Sequence, residues 1–498
     1  MRHCSIRGFT RSFTAAMLLG FVATASADDI EAPKSVAEEL LDILRAAGTI
    51  GEAQYLELRE RARTEEARRT EAAVAAALEA AAPPPVETAT LAANDTAPAP
   101  EPDPDDWSFK WRNDFSLQRN DGAFKLNFGG RILTDWAVVD LDDELDDLIG
   151  GQGHGAEFRR ARLFFSGTLY DRLIFKAQYE FANTGDGEVD LKDAYVGLKD
   201  LGPVGTVLVG HLKEPFSLQA QNSSNYLTFM ERALPNAFSL ARNTGVMATN
   251  TALDERLLWK LAVAKDSDRS GFSFDDDANW NVTARLVGVP LNEDGGEKVV
   301  HLGFGYSHQF REKFTLRYRQ RPEAHLANHL ADTGNTIPTD DVDLINSELA
   351  VVWGSASFQS EYTHSFVQGD GTKNTSFWGA YAEASYFLTG EHREYELGNG
   401  VFGRVSPKAN FNPAQGDWGA FEVAARFSYL DLNDEFVRGG ELWNVTAGIN
   451  WYLYPNTRIL LNYVHSDVDD RTVILTDSTT PGVDGNADIV QARLQFDF

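Results

Sequence analysis

The 498-residue sequence has one cysteine, Cys4, and no run of 18 consecutive apolar residues. A lone thiol excludes an intrachain disulfide framework and a thiolate metal site. The missing run excludes a helical membrane span. Basic residues are scarce as well, with 45 Lys and Arg against 74 Asp and Glu, a formal charge of -29. So acidic a chain offers no general surface to nucleic acid or another polyanion. Enzyme signatures are missing too: no serine sits in a G-x-S-x-G elbow, and His325 and His329 stand four apart without the glutamate of a zinc-binding helix. Gly398 to Gly403 spells G-x-G-x-x-G, but no strand–helix–strand pattern surrounds it. These residues read as loop surface, and neither cofactor nor metal is expected.

What is present begins with an export signal. Arg2, Arg7 and Arg11 precede an apolar run from Phe13 to Val22, and Ala25-Ser26-Ala27 follows as a small-residue cleavage site. Residues 1–27 are therefore expected to be removed, leaving Asp28 as the first residue and taking Cys4 away. Residues 28–80 place Leu40, Leu41, Leu44, Tyr55, Leu56 and Leu58 at helical spacing, broken near Gly48 and Gly51, which reads as a short coiled coil or as a solvated, frayed helix. Residues 81–106 turn to Pro, Ala, Thr and Asp, a composition that buries no core and suits a semi-rigid linker.

From Trp107 to Phe498 the pattern switches to period two. Leu173, Phe175, Ala177, Tyr179 and Phe181 interleave with Lys176, Gln178 and Glu180; Trp443 to Leu453 repeats the arrangement around Asn444, Thr446 and Asn450. Such segments number about sixteen: 123–139, 158–170, 172–182, 190–199, 205–213, 245–253, 256–264, 279–290, 298–321, 343–353, 356–367, 375–389, 419–431, 441–454, 457–467 and 488–498. Long alternating strands with aromatics such as Trp378, Tyr386, Trp451 and Tyr463 near their ends predict an all-β transmembrane barrel of about sixteen antiparallel strands. An open edge would leave unpaired backbone groups in hydrocarbon, so the sheet must close. An even strand number puts both termini in the periplasm. A barrel this wide is not filled by its own side chains.

Particular segments carry a family likeness: FGGRILTDWAVVD, GAEFRRARLFFSGTLYD, VDLKDAYVGLKDLGPVGTVLVGHLKEPFSL, FMERALPNAF, RYRQRPEAHLA, SYFLTGE and ADIVQARLQFDF. In this order, and across almost all of 107–498, they resemble the phosphate-selective porin O/P family of Gram-negative outer membranes. The resemblance implies a homotrimer of sixteen-stranded barrels, a periplasmic helical extension, and passive diffusion of phosphate, polyphosphate or other small anions. The terminal Phe498 on an alternating apolar strand resembles the signal read by the outer-membrane assembly machinery.

Alternation also assigns the lumen. Opposite apolar outer faces lie Lys125, Arg131, Arg160, Arg162, Lys176, Arg285, Arg317, Arg319, Arg321, Arg426 and Arg493, with the acids Asp135, Glu180, Asp193, Glu383, Glu422 and Asp497. The expected lumen is thus basic within an acidic chain. Phe164 falls on the same face without an evident reason. In KFTLRYRQRP, with Phe314, Leu316 and Tyr318 outward, Arg317, Arg319 and Arg321 are expected to form a ladder of anion sites on one strand; the other reading is that they pair with inward carboxylates. Glu214 to Thr244 is too long and too apolar for an exposed loop and is expected to fold inward as a constriction carrying Arg232 and Arg242; Glu391 to Gly416 is a second inward candidate. The surplus acid sits in outer loops, at 140–147 and at Asp266, Asp268, Asp275, Asp276, Asp277, Asp467, Asp469 and Asp470, as solvated loops or as cation-bridged contacts to outer-membrane lipids. The functional reading is an anion porin; the alternatives are a weakly selective general porin and a structural barrel tethering the membrane to the cell wall.

Overall fold

The computed structural model describes residues 51, 54–55 and 106–498, except 112–113, 151–152, 183–187, 275–278, 335–336, 372, 435–436 and 473–481. The chain divides into two compact units, 1–99 and 100–498. The expected leader and nearly all of the helical segment and linker lie outside the described residues, as do Asp275, Asp276 and Asp277. In the first unit the Tyr55 N–H donates to the Gly51 carbonyl at 2.9 Å, one turn of helix.

The second unit is built by period-two alternation. Its sixteen barrel strands are β1 Phe124–Leu141, β2 His154–Leu169, β3 Leu173–Glu180, β4 Asp190–Leu198, β5 Thr206–Lys213, β6 Arg242–Ala252, β7 Leu257–Lys265, β8 Trp280–Glu293, β9 Lys298–Leu316, β10 Ile337–Trp353, β11 Ala356–Gly369, β12 Thr375–Phe387, β13 Ala420–Asp434, β14 Val437–Tyr454, β15 Thr457–Arg471 and β16 Val483–Asp497. Each is antiparallel to the next, and β16 returns to β1 from Ala487 opposite Leu141 to Asp497 opposite Arg131. Gly130 and Phe498 exchange both backbone hydrogen bonds, 2.7 and 3.0 Å, at the end of that seam. Closure leaves neither edge unpaired, the condition for a sheet in lipid.

Exposure runs opposite to that of a water-soluble sheet. On β16, Val490, Leu494 and Phe496 face out exposed, while Gln491, Arg493, Gln495 and Asp497 are buried inside. The apolar outer band and polar interior are those of an outer-membrane barrel. Below the end of β16 a hairpin that the strand count had missed, Trp107–Trp111 with Phe115–Arg119, pairs with β1 and exposes Trp107, Phe109 and Trp111.

Two further departures have clear causes. The expected strand 298–321 stops at Leu316: β9 bulges between Phe310 and Phe314, and Arg319–Gln320 then pairs with Ala331–Asp332 as a separate small hairpin. Phe164 points inward because its strand partner is Gly129, where an added Cβ would lie 2.6 Å from the Phe164 ring. The ring occupies the space that the glycine leaves, a means of supporting glycine in a strand.

The interior is partly filled from both rims. From the rim with long connections, 214–241 folds inside and packs Phe216, Leu234 and Phe238 against Leu316, Tyr318, Phe377, Leu430 and Leu442. Its start is fixed by the Glu361 carboxylate, which accepts the Leu218 and Gln219 N–H groups at 2.9 and 2.8 Å. From the other rim, the connection 388–419 enters: the Gly400 carbonyl accepts from Arg285 at 3.0 Å, and the Phe402 N–H donates to Asn222 Oδ1 at 3.0 Å. The two insertions therefore meet inside the barrel.

Candidate functional site

The site begins with a bulge. Leu133 pairs with Arg160 and Thr134 with Phe158, so Arg159 is the extra residue on β2. One inserted residue resets the alternation; Phe158 stays outside, and Arg159 and Arg160 both enter the lumen, followed by Arg162. Simple alternation predicted Arg160 and Arg162 but missed Arg159.

These arginines belong to a cavity of about 420 Å³ bounded by β1 to β6 and the two insertions. Among the described residues seven cations line it, Arg131, Arg160, Arg162, Lys176, Lys213, Arg232 and Arg242, with Asp193 and Glu396 as the lining carboxylates. Several cations bond to neutral groups. Arg131 donates to Ser223 and Ser224 hydroxyls at 3.2 and 2.9 Å, Lys213 to the Ala220 carbonyl at 2.7 Å, and Arg232 to the Gln219 and Asn222 carbonyls at 2.8 and 3.0 Å. Others share an acid: Lys176 and Arg242 meet Asp193 at 2.7 and 2.6 Å, and Arg162 and Arg160 meet Glu180 at 2.6 and 3.9 Å. Neutral partners hold a guanidinium in place without cancelling its charge, so the cavity stays electropositive.

A second cavity, of about 290 Å³, lies toward the long-connection rim. It is lined by Arg159, Arg160, Arg232, Arg321, His325 and His329, with Glu231 and Glu323. Arg160, Arg232 and Asn236 border both cavities, so the two chambers adjoin at these side chains. Arg160 Nε makes no hydrogen bond there.

The other predicted lumenal cations are placed differently. Arg493 grips Asp135 with two bonds of 2.6 Å across the closing seam and reaches Glu231 at 2.8 Å. Arg285 makes a two-bond pair with Glu348 at 2.9 and 2.7 Å, and Arg426 binds Glu323 and lies 3.5 Å from Glu383. All three face inward yet are almost fully buried. Lys125 is exposed at the short-turn end of β1. Arg242 opens β6 rather than sitting on the inserted loop, and Arg232 is on the loop as expected.

The ladder is corrected. Arg317, Arg319 and Arg321 follow the end of β9, and it is Leu316 and Tyr318 that turn inward, where Phe238 and Phe377 provide apolar contacts. Arg317 is held by Asp332 at 2.7 and 2.5 Å, Arg319 is exposed, and Arg321 donates to the His325 carbonyl at 2.6 Å and to that of Ala327. Alternation separated the two sets of side chains correctly, but Leu316 and Tyr318 rather than Arg317 and Arg319 face the lumen, and of the three arginines Arg321 lines the second chamber. Sequence reasoning also missed Glu231 and Glu323, because they reach the site from connections with no period.

The profile of phosphate-selective porin O and P matches residues 124–498. The chain belongs to that family. This porin is 26% identical to Porin O of Pseudomonas aeruginosa over 427 residues, 78% of this chain and 92% of that one. It is 30% identical to an uncharacterized protein of Caulobacter vibrioides over 429 residues, 83% and 82% of the two chains. Among solved structures, an anion-selective porin from Comamonas acidovorans shares the fold at a TM-score of 0.50 and 14% identity, over 75% of this chain and all of that one. The porin is an outer-membrane protein.

Proposed function

We propose that this porin lets small anions, phosphate among them, diffuse passively through the two adjoining chambers. The observation that carries the reading is the junction: Arg160 and Arg232 border both cavities, so an anion leaving one chamber meets the cations of the next without crossing a neutral gap. Several moderate sites in series suit conduction better than one tight one, since the ion must also leave. Arginine remains charged at any working pH and offers phosphate a planar fork. The names of Porin O and of the anion-selective porin agree with this reading. Cleavage after Ala27, a periplasmic N-terminus, long connections outside the cell and a trimer complete the proposal.

The test is a reversal potential in a salt gradient at low ionic strength, where screening is weakest. The wild type should be anion-selective. Replacing Arg160 and Arg232 with Gln should lower the anion-to-cation permeability ratio about fivefold, the effect of ~1 kcal/mol of lost interaction at the junction. An unchanged ratio would show that the chambers are not the path.

A further inference from the structure

The larger chamber is not uniformly polar. On β5 and β6, beside Lys213 and Arg242, Leu208, Leu212 and Met247 form a buried apolar cluster with Tyr195 alongside. Leu240 of the inserted loop and Val401 of the opposite insertion, both half-buried, border the same space. An inorganic ion carries its water with it and gains nothing from such a wall. Water against that surface is instead costly, and the wall lies where the barrel could have placed Ser, Thr or Asn.

We propose that this chamber takes amphiphilic organic anions, monoesters of phosphate with an aryl or alkyl body, the head held by the cationic side and the body laid against the apolar side. The inference rests on the anion-porin reading and narrows its substrate class. Size agrees: about 420 Å³ falls within the roughly 300–1,000 Å³ of sites for organic small molecules. Geometry agrees as well: Arg131, Arg160 and Arg162 project from β1 and β2, whereas Leu208, Leu212 and Met247 project from β5 and β6 beside Lys213 and Arg242, so one molecule can touch a cation and the apolar cluster at once. Inorganic phosphate would use the basic side only.

The experiment compares block of chloride current through the full-length porin by phenyl phosphate, glycerol phosphate and inorganic phosphate. Placing about 60 Å² of aryl surface against the wall, at ~25 cal/mol per Å², makes phenyl phosphate half-block at a concentration about tenfold lower than glycerol phosphate. Glycerol phosphate has a similar charge and a polar body, so it separates apolar contact from charge. Equal half-blocking concentrations for the two esters would overturn the proposal, and this comparison needs no variant. In Met247→Gln with Val401→Thr, folding being checked by the heat-dependent shift in electrophoretic mobility, the ratio should fall toward one; an undiminished ratio would place the aryl contact elsewhere and also overturn it. The reversal potential keeps the two readings apart: a cation-selective wild type defeats the anion-porin reading itself, whereas an anion-selective channel with equal ester block defeats only this one.

Discussion

The two halves of the lumen use basic side chains to opposite ends. On the β1 to β6 side, Arg131, Lys213 and Arg232 are tied to hydroxyls and carbonyls around an open chamber. On the β8 to β16 side, Arg285, Arg426 and Arg493 are closed against Glu348, Glu323 and Asp135 with almost no exposure. Partner and solvent decide the role. A cation held by neutral groups beside water projects its charge onto whatever passes; a cation sealed against a carboxylate projects little and instead holds strands and insertions together.

The sharpest way to break this comparison is Arg493→Gln. Removing one member of a buried pair leaves an uncompensated charge, here Asp135, at a cost of about 3–5 kcal/mol. The loss falls on the β16–β1 seam, so the temperature at which the folded band converts to the unfolded one in electrophoresis should drop markedly. The permeability ratio should stay at the wild-type value. A variant of normal heat stability with altered selectivity would place Arg493 in the path and erase the distinction.

Much of this division was legible in the sequence, and the remainder failed for physical reasons. Alternation placed Asp135, Glu180, Asp193, Glu383, Glu422 and Asp497 inside, because a strand leaves each side chain only two directions. It could not tell an open face from a sealed one, since that depends on which connection folds over the face. Arg285 and Arg131 look alike in sequence; the entry of Gly400 over the former and the serine pair Ser223–Ser224 beside the latter set them apart. It failed outright at Arg159, where one inserted residue reverses the parity, and at Arg317 and Arg319, where apolar neighbours were read as facing lipid while Leu316 and Tyr318 pack against the inserted loop.

An intermediate effect is expected where the second insertion is seated. Gly400 has a left-handed φ of 64°, and an added Cβ would come within 2.8 Å of Leu258 Cδ2. Gly400→Val combines that contact with a backbone conformation that costs a β-branched residue about 1–3 kcal/mol. The strain is borne by the 388–419 connection rather than by the barrel wall, so this connection should withdraw from the lumen. Single-channel conductance should rise while heat stability of the barrel changes little. Unaltered conductance would mean that the insertion does not limit flow.

The smallest effect concerns pH at the second chamber. His329 lies in the 317–336 connection, where burial first, and then the Arg321 and Arg319 guanidiniums, hold its imidazole down at about 4 against an ordinary 6.5, with Asp332 opposing them. A folded-state value below the unfolded one means that between pH 6.5 and 4 the unfolded connection takes up a proton that the folded one refuses. Stability of the folded connection is therefore complete above about pH 6.5, declines as pH falls through that window, and loses no more to this group below 4. Asp332, which burial pushes up but Arg317 more than offsets to hold low, gives up its contribution from the ordinary carboxylate value downward, so the two groups act in separate windows. The imidazole is only half-buried and solvent screens it, which keeps the change modest. Hydrogen exchange of the peptide spanning 322–330, corrected for the intrinsic rate, should show protection falling from pH 7 to pH 4.5 in the wild type. In His329→Gln the protection should be flat over that range. If the variant loses protection with the same pH profile, another group governs the connection, and the link between Arg321, Arg319 and this imidazole is wrong.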